Sequence, residues 1–232
     1  MGNRNWMVVK TNGELWVCGN NNEGFLGVNQ APGVIGIYSS PVQVGSDTNW
    51  NTVLTRSAYW SMGGKTDGTL WVWGGGIADK AGDNGAGANQ RSSPSQVPGT
   101  DWVTDARGYY GTAGTIAAIK TDGSLWAWGN GGYGLTAQND EVTRSSPIQV
   151  GTDTNWSKIG GAGYHFLATK TDGTLWAWGA NEYDHCGDGA LGQNSTVSYS
   201  SPIQIGSHSM WTSDQIGGRS NAYFVMLEDT SV

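Results

Sequence analysis

The chain has 232 residues, among them 38 Gly, 13 Trp and 3 Phe, and its formal net charge is −7. This much Gly without a Gly-X-Y period excludes collagen, and so many Trp rings, which bury large apolar areas, exclude a disordered chain. An acidic chain without a basic cluster is poorly suited to phosphate backbones, so we expect no nucleic-acid partner.

The first residues, Met1 to Trp6, lack the apolar core of a secretory signal. No stretch of the sequence approaches the roughly 18 apolar residues that a membrane span needs. We therefore expect synthesis in the cytoplasm without a signal peptide and no membrane partner.

A ten-residue block recurs four times along the chain. The copies begin at Lys10, Lys65, Lys120 and Lys170, so consecutive copies begin 55, 55 and 50 residues apart. Each contains Asn-Gly or Asp-Gly between extended segments, which is the strongest short-range signal for a β-hairpin. A fixed recurrence of this size predicts a repeat protein with a hairpin in each unit.

The strand after each turn is apolar on both faces. In the second copy Leu70 and Val72 point to one face, while Trp71 and Trp73 point to the other. A sheet that is apolar on both faces must be covered on both, and tandem small sheets achieve this by stacking face to face around an axis. The pattern therefore predicts an all-β protein, a β-propeller of tandem four-stranded blades.

Two further segments complete each unit. A Ser-Ser-Pro segment begins at Ser39, Ser92, Ser145 and Ser200, and its Pro is best tolerated at the start of an edge strand. A Trp then opens the next unit, at Trp50, Trp102, Trp156 and Trp211. Together with the hairpin, these segments give four strands per period of about 50–55 residues.

The repeats define one propeller domain over residues 1–232, with roughly four to five blades. Its predicted parts are a partial blade at 1–45, blades at 46–98, 99–151 and 152–206, and a partial blade at 207–232.

Two ways of completing the end sheets remain open. Residues 211–216 could complete the N-terminal sheet, although the surplus strand at 222–227 fits that closure poorly. In the other arrangement the ring is open, and end sheets rich in Trp and Leu must be covered by a partner. Our hypothesis is that another chain, or a second copy, covers them.

The repeat unit resembles a known family. A hairpin ending in Leu-Trp-Ala-Trp-Gly, the Gly-Phe-Leu-Gly stretch at 24–27 and the Ser-Ser-Pro-Ile-Gln-Val strand are similar to the regulator of chromosome condensation repeats, from Trp6 to about Asp229. The likeness is greatest to bacterial and bacteriophage repeats of this family. It implies a β-propeller whose usual ring has seven blades, more than this chain contains.

Residue patterns for catalysis are sparse. Asp184, His185, Cys186 and Asp188 cluster in one segment, but no second Cys/His pair could complete a zinc site. The Asp residues of the Asp-Gly turns at 67, 122 and 172 are explained by the turns themselves. We therefore predict a protein that is not an enzyme and that has no cofactor and no metal.

The loops between the first and second strands carry a recurring Arg and aromatic theme. These residue types are enriched in binding hot spots, and equivalent loops of a propeller gather on one rim. The other interpretation is that half of these rings cap the core. The candidate binding rim comprises Arg56, Tyr59, Trp60, Arg107, Tyr109, Tyr110, Tyr164, His165, Arg219 and Tyr223.

Three functions were weighed. The favoured one is a non-enzymatic structural or interaction protein that uses the propeller for protein–protein contact, and the resemblance implies a bacteriophage virion component such as a decoration, fibre or tail-associated protein. The alternative is a lectin-like propeller that binds glycans or a cell surface through the rim. The remote alternative, guanine-nucleotide exchange on a small GTPase, is disfavoured by the acidic charge and the small blade number.

Overall fold

The computed structural model describes residues 5–21, 24–30, 36–54, 60–75, 82, 90–112, 114–181, 191–209, 211, 217–219 and 222–224. The chain divides into two compact units, Met1–Ala106 and Arg107–Val232. In the residues so described, regular structure is β-strand apart from a single 3-10 turn at Gly132–Gly134.

The first unit contains two antiparallel sheets whose strands follow one another in chain order. Blade 1 has three strands and blade 2 has four. The strands of blade 1 are β1 (Trp6–Val9), β2 (Leu15–Asn20) and β3 (Ile37–Gln43). Those of blade 2 are β4 (Trp50–Leu54), β5 (Trp60–Lys65), β6 (Leu70–Gly75) and β7 (Gln90–Gln96).

The second unit contains two four-stranded sheets and a short hairpin. Blade 3 comprises β8 (Tyr109–Gly111), β9 (Thr115–Ile119), β10 (Leu125–Gly129) and β11 (Arg144–Gln149). Blade 4 comprises β12 (Trp156–Ala162), β13 (His165–Lys170), β14 (Leu175–Gly179) and β15 (Tyr199–Gln204). The hairpin pairs β16 (Gly217–Arg219) with β17 (Ala222–Phe224). Tandem sheets of this kind confirm the predicted all-β propeller, with about four blades.

The hairpin turns form as the Asp-Gly pattern predicts. In blade 3, Asp122 accepts hydrogen bonds from the backbone N–H and the hydroxyl of Ser124, at 2.9 and 2.6 Å. The side-chain hydrogen bond from Ser124 lowers the pKa of Asp122, because it stabilises the ionised carboxylate. Gly123 takes the left-handed conformation, with φ +81°, that lets the chain reverse in two residues. The Asp is therefore a turn residue.

Neighbouring blades within each unit are locked by a buried Trp. In the first unit the indole N–H of Trp73 donates to the carbonyl of Phe25, in the loop between β2 and β3 of blade 1, at 2.9 Å. In the second unit Trp178 donates in the same way to the carbonyl of Leu135 at 3.1 Å. Each Trp is fully buried, and its N–H is satisfied by a carbonyl of the preceding blade.

Blade 3 differs from its neighbours in its first strand. Strands β4 and β12 begin at their Trp, but β8 begins at Tyr109, seven residues after Trp102. Trp102 is nevertheless buried, and its backbone N–H donates to the carbonyl of Gly68 at 3.1 Å, as that of Trp50 does to Gly13. The Trp therefore keeps its contact with the preceding hairpin turn even where the strand starts later.

The structure leaves the completion of the end sheets open. The Trp211–Ile216 segment lies mostly outside the described residues, since only Trp211 is among them. The surplus strand predicted at 222–227 overlaps β17, which pairs with β16 beside β12.

Candidate binding surfaces

Four residues of the predicted rim are core residues. Trp60, Tyr109, Tyr110 and His165 are 2%, 0%, 5% and 0% exposed. They lie on β5, β8 and β13, whose residues are buried on both faces. These four side chains therefore cannot contact a large partner from a rim, and the interpretation that such rings cap the core is the correct one for them.

Tyr110 shows how completely one of these rings is used in the core. Its hydroxyl donates a hydrogen bond to the carbonyl of Gly161, and its ring meets Phe166 edge-on with centroids 6.3 Å apart. A buried Tyr hydroxyl needs such a partner. Both the apolar and the polar parts of the side chain are therefore occupied.

The remaining rim residues fall into three groups. Arg56 and Tyr59 lie outside the described residues, and Arg219 and Tyr223 are on β16 and β17. Arg107 is half-buried, and its carbonyl accepts the backbone N–H of Ile159 at 2.9 Å. Tyr164 is half-buried at the edge of a cavity.

Tyr164 forms this cavity with a residue that sequence reasoning missed. The ring of Tyr133 meets that of Tyr164 edge-on, with centroids 5.7 Å apart. The two rings, with Asn130 and Leu135, line a cavity of about 260 Å³. Tyr133 has φ +58° within a Gly-Gly-Tyr-Gly loop, and nothing in that sequence indicates where its ring points.

Burial of His165 should make the stability of the protein depend on pH. Desolvation lowers the pKa of His165 from 6.5 to about 4, because the buried site disfavours the charged imidazolium. Between pH 6.5 and 4 the unfolded chain binds a proton that the folded chain does not, so the free energy of unfolding is expected to fall by up to about 3 kcal/mol as the pH is lowered through this range.

Urea unfolding at pH 4, 5, 6 and 7 measures this effect. In His165→Gln the free energy of unfolding should lose the part of its pH dependence that His165 contributes. His208 is exposed, so His208→Gln is the control and should follow the wild type. A His165→Gln profile parallel to that of the wild type would contradict the assignment.

A lysine lies between two tryptophans at the outer part of a blade in each unit. In blade 2 the ammonium of Lys65 is 4.7 and 4.0 Å from the ring centroids of Trp50 and Trp71, and it forms an ion pair with Asp47 at 2.7 Å. Blade 4 repeats this arrangement: Lys170 lies between Trp156 and Trp176, with Asp153 at 2.6 Å. Two ring faces and one carboxylate satisfy a lysine that is almost completely buried.

The half-buried Trp of each arrangement has a fixed orientation. The indole N–H of Trp71 donates to the hydroxyl of Thr69 at 2.8 Å, and that hydroxyl donates to Asp67 at 2.6 Å. The same relay orients the indoles of Trp126 and Trp176. These rings are therefore held rigidly where they reach the surface, and they cost little conformational entropy when something binds to them.

A groove of about 360 Å³ opens beside this Trp in the first unit. One wall is formed by Trp50, Trp71 and the Lys65–Asp47 ion pair. The other sides combine apolar and polar groups, namely Val28, Val44 and Pro94 with Asn29, Gln43 and Ser93. We call this cavity the Trp71 groove. Sequence reasoning did not find it, because its residues come from four separate segments of the chain.

Neither a metal site nor a membrane-spanning helix emerges from the residues that the structure describes. Within the ranges that it describes, no three His, Cys, Asp or Glu side chains are grouped so that they could hold a metal ion. The cluster at 184–188 lies outside those ranges. In the same part of the chain no helix is long and apolar enough to cross a membrane.

Comparison with solved structures identifies the class of fold. The crystal structure of human WBSCR16 is 19% identical, with a TM-score of 0.78 over 99% of this chain and 57% of that one. Yeast RCC1 (Prp20), in its structure bound to Kap60, is 17% identical, with a TM-score of 0.69 over 99% of this chain and 53% of that one. A second structure, of Prp20p from Saccharomyces cerevisiae, is 16% identical, with a TM-score of 0.71 over 99% of this chain and 54% of that one.

The chain is thus a repeat-built β-propeller, and its fold is that of the RCC1-like propellers. This confirms the resemblance to regulator of chromosome condensation repeats at the level of fold. The chain spans about half the length of the structures that it matches. No protein-family model matches the sequence, and no curated protein sequence matches it.

Proposed function

We propose that the chain is a non-enzymatic protein-interaction module and that it docks through the outward face of β1. One observation carries the proposal: Trp6 and Val8, on this strand, are 43% and 45% exposed. A Trp exposed to this extent beside a second apolar side chain is typical of a surface that a partner covers.

The equivalent strands of the other blades are covered on both faces. Strand β1 pairs with β2 so that Val9 lies opposite Leu15, and β5, β9 and β13 pair in the same register with the strands that follow them. Every residue of those three strands is buried, whereas only alternate residues of β1 are half-buried. Met7 and Val9 pack against the core of the first unit, so Trp6 and Val8 point the other way.

What covers such a face can be inferred from blade 2. Ser61, which corresponds to Trp6, donates its hydroxyl hydrogen bond to the carbonyl of Phe25 in the loop between β2 and β3 of blade 1. An apolar sheet or loop that packs against β1 in the same way would complete the stacking pattern. A large Trp in place of the small Ser would give that contact a substantial apolar area.

The fold and the type of repeat support this role. Yeast Prp20 has been solved bound to Kap60 and studied for its binding to Gsp1p and histones, so propellers of this fold engage other proteins. Because the repeats resemble those of bacterial and bacteriophage proteins, we place the contact in a virion, where the chain would serve as a decoration, fibre or tail-associated protein.

The proposal predicts that charges on β1 break a specific assembly. The double variant Trp6→Glu, Val8→Lys should no longer assemble. For the wild type, size-exclusion chromatography with light scattering measures the assembly. The partner is either a second copy of the chain or the neighbour that native mass spectrometry identifies in the source particle. Val142 and Val197 are also exposed, so Val142→Lys with Val197→Lys is the matched control and should leave the assembly intact.

A wild-type chain that is monomeric at every concentration and is not retained by the purified particle would overturn the proposal. Nucleotide exchange measured on a panel of small GTPases tests the competing function. Exchange that survives the β1 charges would assign the activity to another surface and would also contradict the proposal.

A further inference from the structure

One residue that lines the Trp71 groove differs between equivalent loops of the two units. Asn29 and Asn139 each donate a backbone N–H to a Ser carbonyl on the outer strand of the next blade, at 2.7 and 2.8 Å. The residues just before them, Val28 and Gln138, therefore occupy the same place in the fold.

Gln138 closes its side of the blade with a hydrogen bond. Its amide N–H donates to the backbone carbonyl of Gln149 on β11 at 3.0 Å. Gln193 repeats this bond in blade 4, to the carbonyl of Gln204 on β15, also at 3.0 Å. The side-chain amide thus connects the loop to the outer strand of the same blade.

Val28 has no donor with which to make that connection. The carbonyl in the equivalent position belongs to Gln43, which lies opposite Trp16 as Gln149 lies opposite Trp126. A shorter, apolar side chain stands where blades 3 and 4 have a Gln, and both Val28 and Gln43 line the groove. The open space therefore arises from the sequence at this position and is not a feature of every blade.

The walls of the groove define the chemistry of a ligand. Trp71 presents a rigid, half-buried indole, and Val28 and Pro94 add apolar surface. Asp47 is exposed at the lip, but its charge is balanced by Lys65 at 2.7 Å, so the groove does not select a charged ligand. The volume of about 360 Å³ lies within the range of small-ligand sites, roughly 300–1,000 Å³.

We propose that the Trp71 groove binds a neutral carbohydrate, with one pyranose ring packed against the exposed part of the Trp71 indole. A pyranose has an apolar C–H face, which suits an aromatic ring, and a rim of hydroxyls that both donate and accept hydrogen bonds. The amides of Asn29 and Gln43 can do both, and the Asp47 carboxylate accepts. This site is separate from the face of β1 and from the rim predicted by the sequence.

The test begins with the wild-type protein on a glycan array, followed by titration calorimetry with the neutral oligosaccharide that binds best. Trp71→Ala should weaken that binding at least tenfold, and Val28→Gln should abolish it by filling the groove. Trp176 of blade 4 holds the place that Trp71 holds in blade 2, but the loop of blade 3 that bonds to blade 4 carries Gln138 where the loop of blade 1 carries Val28. Trp176→Ala should therefore leave the Kd unchanged.

Val28→Gln introduces the side chain that the equivalent loops already carry, so this variant is expected to fold, and its melting curve verifies that. Absence of binding to every neutral glycan would overturn the proposal. So would glycan binding that Val28→Gln and Trp71→Ala leave unchanged, or a proline-rich peptide that binds in the groove when glycans do not. None of these outcomes bears on the assembly through β1.

Discussion

Replacing Trp178 by Ala is expected to lower the free energy of unfolding by about 3–5 kcal/mol. The side chain is fully buried, stacks on Phe166 with ring centroids 5.1 Å apart, and meets Trp156 edge-on at 6.5 Å. Its removal leaves a cavity between blades 3 and 4 and also leaves the carbonyl of Leu135 without its 3.1 Å donor. Urea unfolding followed by circular dichroism measures the loss.

Two variants separate the contributions to this effect. Trp178→Phe keeps most of the ring but lacks the N–H, so it should cost about 1–3 kcal/mol. Trp176→Ala, two residues away on the same face of β14, removes a half-buried indole whose N–H donates to the hydroxyl of Thr174, and should cost less than Trp178→Ala. Equal losses for Trp176→Ala and Trp178→Ala would show that the blades are not locked through Trp178.

The same contrast shows what the sequence could predict. The alternation of Leu70 and Val72 with Trp71 and Trp73 is enough to predict a sheet that is covered on both faces, since a strand has only two faces. The alternation does not say which Trp of each pair is more deeply buried. In the structure both indoles lie on the same face of β6, but Trp73 packs against the loop of blade 1 and is fully buried, whereas Trp71, nearer the hairpin turn, lines the groove and is half-buried.

The binding rim was harder to predict than the fold because loop boundaries carry little sequence signal. The sequence pattern predicts that Tyr109 and Tyr110 lie in a loop after a strand that begins at Trp102, but the strand itself begins at Tyr109. Displacement of the strand along the chain moves both rings from a rim into the core. His165 was assigned to the same kind of loop and is instead the first residue of β13.

The Trp71 groove could not be found from the sequence for a different reason. Val28, Gln43 and Trp71 come from separate segments, and Val28 is unremarkable as a surface-loop residue. That Val28 replaces a hydrogen-bonding Gln is seen only when its position is compared with that of Gln138. The backbone hydrogen bonds of Asn29 and Asn139 establish that the two positions are equivalent. Tertiary contacts, not periodicity, define the equivalence.

Gly131 is closely covered by backbone, although it lies in a Gly-rich loop. In the structure a Cβ on Gly131 would lie 2.2 Å from the carbonyl oxygen of Val142, well inside contact distance. The backbone of the following segment folds over this glycine, so Gly131 is not a tolerant reference position.

Gly151 is the appropriate reference for the hairpin glycine. Gly123 and Gly151 both have positive φ, +81° and +60°, so each pays the left-handed penalty of about 1–2 kcal/mol when it is replaced by Ala. Around Gly151 nothing lies within 4 Å of an added Cβ, whereas at Gly123 that atom would lie 2.1 Å from the carbonyl oxygen of Thr154. The difference between the two sites is therefore a steric clash with backbone, added to the same conformational cost.

Gly123→Ala is accordingly expected to lower the free energy of unfolding by about 2–5 kcal/mol in total, the left-handed penalty of about 1–2 kcal/mol plus about 1–3 kcal/mol for overpacking, and Gly151→Ala by about 1–2 kcal/mol. The turn cannot move away freely, because the carbonyl of Gly123 accepts the backbone N–H of Trp156 at 3.1 Å and joins blade 3 to blade 4. Urea unfolding of the two variants, measured side by side, compares their losses of unfolding free energy. Losses that are equal within error would mean that the hairpin turn of blade 3 does not press against the segment before β12, and that the blades are joined elsewhere.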